Sequence, residues 1–344
     1  MLNRILGGLI GAGAGDAMGA ATEGRTTDQI YEYFGHKVTD FETVPMDTFG
    51  AGNKPGQVTD DFSSAWFVAH HILENSGNVD AKVVQKALVD WSQHGVFFDR
   101  FAGPTTRLVI RDFQEGRKRT APPIAKVVRQ ATNGAAMRIS PIGLVSGGDV
   151  EKAIEDAIRV TMVTHDNVLA LSGACAVAAA VSNALCKDAD VYSVIQAGLY
   201  GAEQGEKRGR EIARAVAGPS VIKRIEMAVE IGFQAETDEE AMTEISDRIG
   251  TGLHISEAVP AAFGFFAAGK GSAMRTIIQA VNVGYDTDTV ATIAGAIGGT
   301  LEGADAFPSH FLSILEASNG LEIKGMAERI NQLIQERGDS GNEK

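Results

Sequence analysis

Cysteine is scarce in this chain: two residues in 344, Cys175 and Cys186. They fall in an alanine-rich stretch that reads as a helix, where their spacing sets them on one face but roughly two to three turns apart, beyond disulfide reach. They are expected to be buried core thiols, and the chain looks built for a reducing compartment rather than for disulfide stapling. Positive charge is also in short supply. Thirty-one Lys and Arg face 44 Asp and Glu, for a net charge of −13, which argues against a nucleic-acid partner held by a basic surface. A polyanionic substrate would need a local basic or metal-rich site. Long clean apolar runs are missing too. The longest, residues 168–186, is interrupted by Ser172, Ser182 and Asn183 and reads as a buried helix, so no membrane partner is expected. The glycine- and alanine-rich start after Arg4 resembles a signal peptide only superficially. It reaches Asp16 without a cleavage region and reads as part of the folded chain, with a cytoplasmic location expected. Finally, no segment sustains period-two alternation; residues 38–44 are the best strand candidate, and a poor one.

What the chain has is helical pattern. Small-residue spacing predicts a helix over 2–18, with Gly8, Gly11 and Gly15 letting a second helix approach closely. Further helices are predicted over 59–74 with Thr59 as cap, from Asp80, over 105–115, from Pro122-Pro123, from Asp149 to 160, over 168–186, 191–202, 210–216 and 219–231. Others follow over 241–249 behind a Thr237–Glu240 capping box, then over 255–268, 272–283, 288–301, 307–316 and 323–336. Residues 22–57, 97–106 and 132–148 read as irregular connections. With no repeat period and no linker-like shift in composition, one all-α domain over 1–337 is expected, with a frayed tail over 338–344.

Two stretches carry the chemistry. Gly284-Tyr285-Asp286-Thr287-Asp288-Thr289 precedes a helix with almost no charge to offer water, which must therefore be packed deep. Its first turn holds Asp286 and Asp288 near the interior, where carboxylates need a cationic partner. The nearest basic residue in sequence is Arg275, so a hard cation such as Mg²⁺, Ca²⁺ or Mn²⁺ is a natural alternative. Taken alone, an ordinary Asp cap explains this stretch. Val58-Thr59-Asp60-Asp61 then repeats the arrangement before a second apolar helix. A cap needs one such side chain, not adjacent acids. Two acidic turns that meet could share a pair of divalent ions about 4 Å apart.

Together the motifs resemble the ADP-ribosylglycohydrolase family, over almost the whole chain. Gly8-x-x-Gly11-x-x-x-Gly15-Asp16-Ala17-Met18-Gly19 is similar to the family's first helix, Glu23 to an acidic residue near its metals, and Thr59-Asp60-Asp61 and Asp286-x-Asp288-Thr289 to its two metal motifs. Asn133-Gly134-Ala135-Ala136-Met137-Arg138 and Thr164-His165 are similar to two further turns. The sequence departs from the pattern at Phe62 and Tyr285, which replace Thr and Gly. It departs again at Gln130-Ala131-Thr132, where some members carry a Gly-Ser-Tyr-Gly-type segment that helps hold the distal nucleotide.

The resemblance implies a compact orthogonal multi-helix bundle around a dinuclear centre of Mg²⁺ or Mn²⁺. Thr59, Asp60, Asp61, Asp286, Asp288 and Thr289 would be the metal ligands. It also implies hydrolysis of a glycosidic bond at a ribose anomeric carbon, whose oxocarbenium-like transition state favours nearby negative charge. Glu23 and Asp60 are the catalytic candidates. His165, Asn133 and Gly134 are substrate-binding candidates, as are Gly103 and Thr105 at a helix start whose N–H groups could accept a phosphate. Arg138 could pair with a phosphate or with one of the acids. The expected partner is an ADP-ribosylated protein or a small ribosyl conjugate. A hydrolase of a smaller N-riboside such as a nucleoside, and a non-catalytic metal-stabilised binding protein, stay open. Basic or aromatic residues lining the outer cleft would favour the first over the nucleoside reading.

Overall fold

The first helix, α1 (Leu2–Thr22), has so little side-chain bulk that it packs through its backbone. Gly7, Gly11, Gly15 and Gly19 form a stripe at four-residue spacing, and a helix near the other end of the chain, Thr287–Glu302, runs antiparallel against it. A Cβ on Gly11 would stand 2.0 Å from the Gly295 carbonyl oxygen, and one on Gly19 would stand 2.4 Å from the Cα of Asp288. Neither position tolerates a side chain without separating the helices. The four-residue ridges fix the register, as they do when helices pack ridge into groove. Two hydroxyls pin the pair where the site lies: Thr287 donates to the Gly19 carbonyl at 2.9 Å, and the Thr22 and Thr287 hydroxyls are hydrogen-bonded at 3.0 Å.

The computed structural model describes residues 1–117 and 131–342; the helix expected from Pro122-Pro123 and the last two residues lie outside them. After α1 come α2 (Thr27–Phe34), α3 (Asp60–Glu74), α4 (Ala81–Trp91), α5 (Gly95–Phe101), α6 (Pro104–Gln114), α7 (Ser140–Val145), α8 (Val150–Thr164) and α9 (Val168–Ala184). Then follow α10 (Val191–Ile212), α11 (Val221–Gln234), α12 (Asp238–Arg248), α13 (Ile255–Ala268), α14 (Ala273–Asn282), α15 (Thr287–Glu302), α16 (His310–Asn319) and α17 (Ile323–Asn342). Among the described residues the fold is all-α. Its only β-type pairings are isolated bridges, Thr26 with Gly284, Thr132 with His254 and Asn167 with Arg214. No described helix is long and apolar enough to cross a membrane.

The helix starts expected at Thr59, Asp80 and Asp149 are capped by those side chains, and Asn167 caps α9 as well, each accepting a first-turn N–H. Thr237 also caps α12, but Glu240 reaches back to the Glu236 N–H rather than to Thr237, so that box is not reciprocal. Other expectations need correction. The 97–106 connection contains most of α5, which buries Phe97, and the 132–148 connection contains α7. The two helices expected over 191–216 are one, α10. Its glycines are contacts with α9 rather than breaks: a Cβ on Gly205 would lie 2.5 Å from the Leu171 carbonyl oxygen. Residues 38–44 form no strand. The Asn282 side chain pairs with both backbone groups of Val38, at 2.9 and 2.8 Å. Both cysteines are free. Cys175 is buried, and burial pushes its thiol up to about 12, whereas Cys186 lies past the end of α9 and is only half-buried.

Candidate metal centre

A charged side chain inside a helix of buried glycines and alanines must find partners. Asp16 is fully buried, and its carboxylate accepts the Thr59 N–H at 2.9 and 3.1 Å and the Phe62 N–H at 2.8 Å. The Thr59 hydroxyl donates to it as well. Asp16 therefore caps α3 from another helix, which releases Asp60 and Asp61 from capping their own. Asp60 accepts the Gly103 N–H at the start of α6. Asp61 is 2% exposed, and its Oδ2 is buried without a hydrogen-bond partner.

The start of α15 is built differently. Asp286 stands at the N-cap but makes no side-chain cap bond. Its carboxylate instead accepts the Asn133 amide and the Thr289 hydroxyl, and is hydrogen-bonded to Asp288. Asp288 accepts the Thr289 N–H at 2.9 Å. Glu23 arrives from the end of α1. Gly24 N–H donates to the Tyr285 carbonyl at 2.8 Å and Tyr285 N–H donates to the Arg25 carbonyl at 2.9 Å, which draws the two segments together. One carboxylate oxygen each from Glu23, Asp286 and Asp288 then lie within 4.8 Å of one another. That span suits oxygens on opposite sides of one cation with bonds of about 2.1–2.5 Å.

The electrostatics are one-sided. Burial, and after it the charge of Asp288, pushes Glu23 up to about 10 and Asp60 up to about 7, and holds Asp16, Asp61 and Asp286 well above the carboxylate range. Burial raises Asp288 itself. Arg275, the basic residue nearest in sequence, is engaged elsewhere, with Asp238 at 2.7 Å. The cation that faces Asp60 and Asp61 is Arg138. It is buried, lowered by burial to about 10, and bonded to the Thr106 hydroxyl at 3.1 Å. One arginine does not balance six carboxylates. Two of those acids share a hydrogen bond that requires a proton or a cation between them, and Asp61 Oδ2 is orphaned. An all-oxygen donor set of this kind fits a hard divalent cation.

The remaining candidates fall around this cluster. Gly134 lies against the His165 ring, 3.1 Å from where its Cβ would be, and His165 is buried, in contact with the hydroxyls of Thr132 at 3.1 Å and Thr164 at 2.8 Å. Gly103 turns its N–H to Asp60, and Thr105 is half-buried in the first turn of α6. A cleft of about 900 Å³ opens beside Glu23, lined also by Arg25, Gln29, Glu32, Tyr33 and Phe49. Sequence reasoning gave Asp16 no role at the site. Its signal was one acid in the middle of a helix with no other charge after Arg4.

The fold and site define an all-α hydrolase with an acidic centre able to hold metal. Residues 1–340 match the family model described as ADP-ribosylglycohydrolase, and the chain belongs to that family. It is thereby a hydrolase of glycosidic ADP-ribose linkages. The chain is 30% identical to the uncharacterized protein YegU of Escherichia coli (strain K12), over 97% of this chain and 98% of that protein. It is 26% identical to ADP-ribosylhydrolase ARH3 of Bos taurus, over 97% and 94%, and 25% identical to ADP-ribosyl-[dinitrogen reductase] glycohydrolase of Rhodospirillum rubrum, over 96% of each. A solved structure titled ADP-ribosylglycohydrolase-related protein complex shares the fold with a TM-score of 0.69 and 23% identity, over 97% and 98%.

Proposed function

We propose that the protein removes ADP-ribose from a modified protein side chain or small ADP-ribosyl conjugate, using two divalent cations, Mg²⁺ or Mn²⁺, in the cytoplasm. The observation that carries this reading is the Glu23–Asp286–Asp288 group opening beside a cleft of about 900 Å³ that also offers Arg25, Tyr33 and Phe49. A nucleoside needs no such extension, whereas a dinucleotide-sized substrate does.

Thr59, Asp60, Asp61, Asp286, Asp288 and Thr289 would hold the cations, with Glu23 beside them. Bound there, the ions supply charge neutralisation and Lewis acidity. The chain's own residues do the rest. Asp16 and Arg138 hold the Asp60 turn in place from behind, and Asn133 orients Asp286. With the cations bound Asp60 would act as an ionised ligand, and Glu23, at the edge of the cleft, is placed to hold or release a proton. The surrounding carboxylates favour positive charge developing on the ribose ring. Asn133, Gly134 and His165, together with Gly103 and Thr105, would serve as sites for the ribose and phosphate oxygens. A substrate screen with purified protein tests the reading. Release of ADP-ribose from conjugates is expected; turnover of free nucleosides alone would replace it with the smaller-riboside reading.

A further inference from the structure

Tyr285 is held in a left-handed backbone conformation at φ 69°. Glycine adopts that region at little expense, while a bulky side chain there is a strained outlier. The strain is enforced from both sides. Its N–H and C=O are both bonded to the segment that carries Glu23, and Asp286 N–H is bonded to the Thr251 carbonyl at 3.1 Å. Yet the ring that makes the conformation costly is 57% exposed, so core packing does not account for keeping it. Gly252 lies close against the ring: a Cβ there would fall 2.3 Å from Tyr285 Cε1. The molecule thus spends one strained residue and one bare glycine to stand an aromatic ring on the surface, a single residue from Asp286. Backbone strain of this kind collects where function over-determines it.

We propose that Tyr285 is a specificity-determining residue whose ring stacks on a planar leaving group, a guanidinium or a nucleobase, attached to the ribose. This rests on the riboside-hydrolase reading above. Reach decides which part of the substrate it serves. Adjacent Cα atoms are about 3.8 Å apart, so the reach of the ring is limited to groups close to whatever ribose the Asp286 carboxylate helps to hold. The adenine of ADP-ribose is separated from that ribose by a pyrophosphate and a second sugar. The group directly on the anomeric carbon is the one within range. Planar groups gain from a π-face, while an aliphatic serine oxygen does not.

The test uses Tyr285→Asn, which removes the ring while tolerating the left-handed backbone, and Tyr285→Phe, which keeps it. KM is measured for an ADP-ribosylated arginine peptide, a nucleoside and an ADP-ribosylated serine peptide. Kd for the same three is measured in the Glu23→Gln background. Loss of the ring should weaken binding of planar-aglycone ligands roughly tenfold, about one aromatic stack, while serine-linked ligand and free ADP-ribose change little. Tyr285→Phe should restore the ratio, and the arginine and nucleoside arms show which planar group is meant. Tyr285→Gly should raise Tm by a few degrees while showing the same selectivity loss. A flat ratio across the three ligands overturns the role of Tyr285 alone. Failure of all three to bind overturns the riboside reading with it.

Discussion

The two acidic turns look alike in sequence and are built on opposite principles. The Asp60–Asp61 turn is furnished by the chain: Asp16 caps it, Gly103 donates to it, and Arg138 faces it with a buried positive charge. The Asp286–Asp288 turn has only neutral donors, Asn133 and Thr289, and Glu23 is pressed against it as a third carboxylate. Asp288 is also the charge that raises Glu23, Asp16, Asp60, Asp61 and Asp286. The first turn carries part of its own neutralisation; the second depends on a cation from solution. A single metal motif read twice would not suggest this asymmetry.

The sharpest way to break the comparison is to remove the hub. Asp288→Ala should reduce hydrolysis by more than about 10⁴-fold, because charge neutralisation and Lewis acidity are lost together. Metal analysis should show bound ion lost from this variant and partly retained in Asp60→Ala. Equal retention in both would make the two turns equivalent. Glu23→Gln comes next. If Glu23 moves or orients a proton, turnover falls about 10²–10⁴-fold with metal content intact. If its contact with Asp286 and Asp288 is mainly ligation, the amide loses an ion, and the ligand set gains a seventh residue. Single-turnover kinetics and metal titration on one preparation separate the two.

Arg138→Met tests the other half. It leaves Asp60 and Asp61 buried without their cation, a change that typically destabilises by about 3–5 kcal/mol. Denaturant titration should show the loss, largely recovered in Arg138→Met combined with Asp60→Asn. A melt unchanged from the parent would mean that the first turn leans on solution cations as heavily as the second.

Much of this was legible beforehand, and the limits have physical reasons. Caps at Thr59, Asp80 and Asp149 are local chemistry and were readable. So was close packing through the glycines of α1, because a helix without bulk must be approached closely. The glycines of α10 misled, since a glycine that breaks a helix and one that lets α9 approach are the same letter. Asp16 and Arg138 were harder still. Asp16 lies 43 residues before the Thr59 N–H it accepts, and sequence spacing pointed to Arg275 where the fold supplied Arg138. Compensation of buried charge is decided in three dimensions.

The dependence of stability on pH is the most direct readout of the asymmetry. Remove the metal with chelator and follow stability against pH. Glu23 and Asp60 have folded pKa values, about 10 and about 7, above their ordinary ones, so the native state binds more protons than the unfolded chain between those limits. Stability is then fully present below the ordinary carboxylate range and falls as pH rises, by about 1.4 kcal/mol per pH unit for each extra proton bound. The decline should begin near pH 4, be steepest up to about 7, where both groups hold an extra proton, and continue at about half that slope towards 10. Saturating Mg²⁺ or Mn²⁺ should flatten it, since cation charge replaces those protons. Asp288→Asn should make it shallower without metal, because the cause that comes after burial in raising the others is gone, whereas Asp61→Asn, beside Arg138, should change it less. A chelated protein equally stable at pH 5 and pH 8 would show that the second turn is neutralised from within, and the contrast between the two turns would fall.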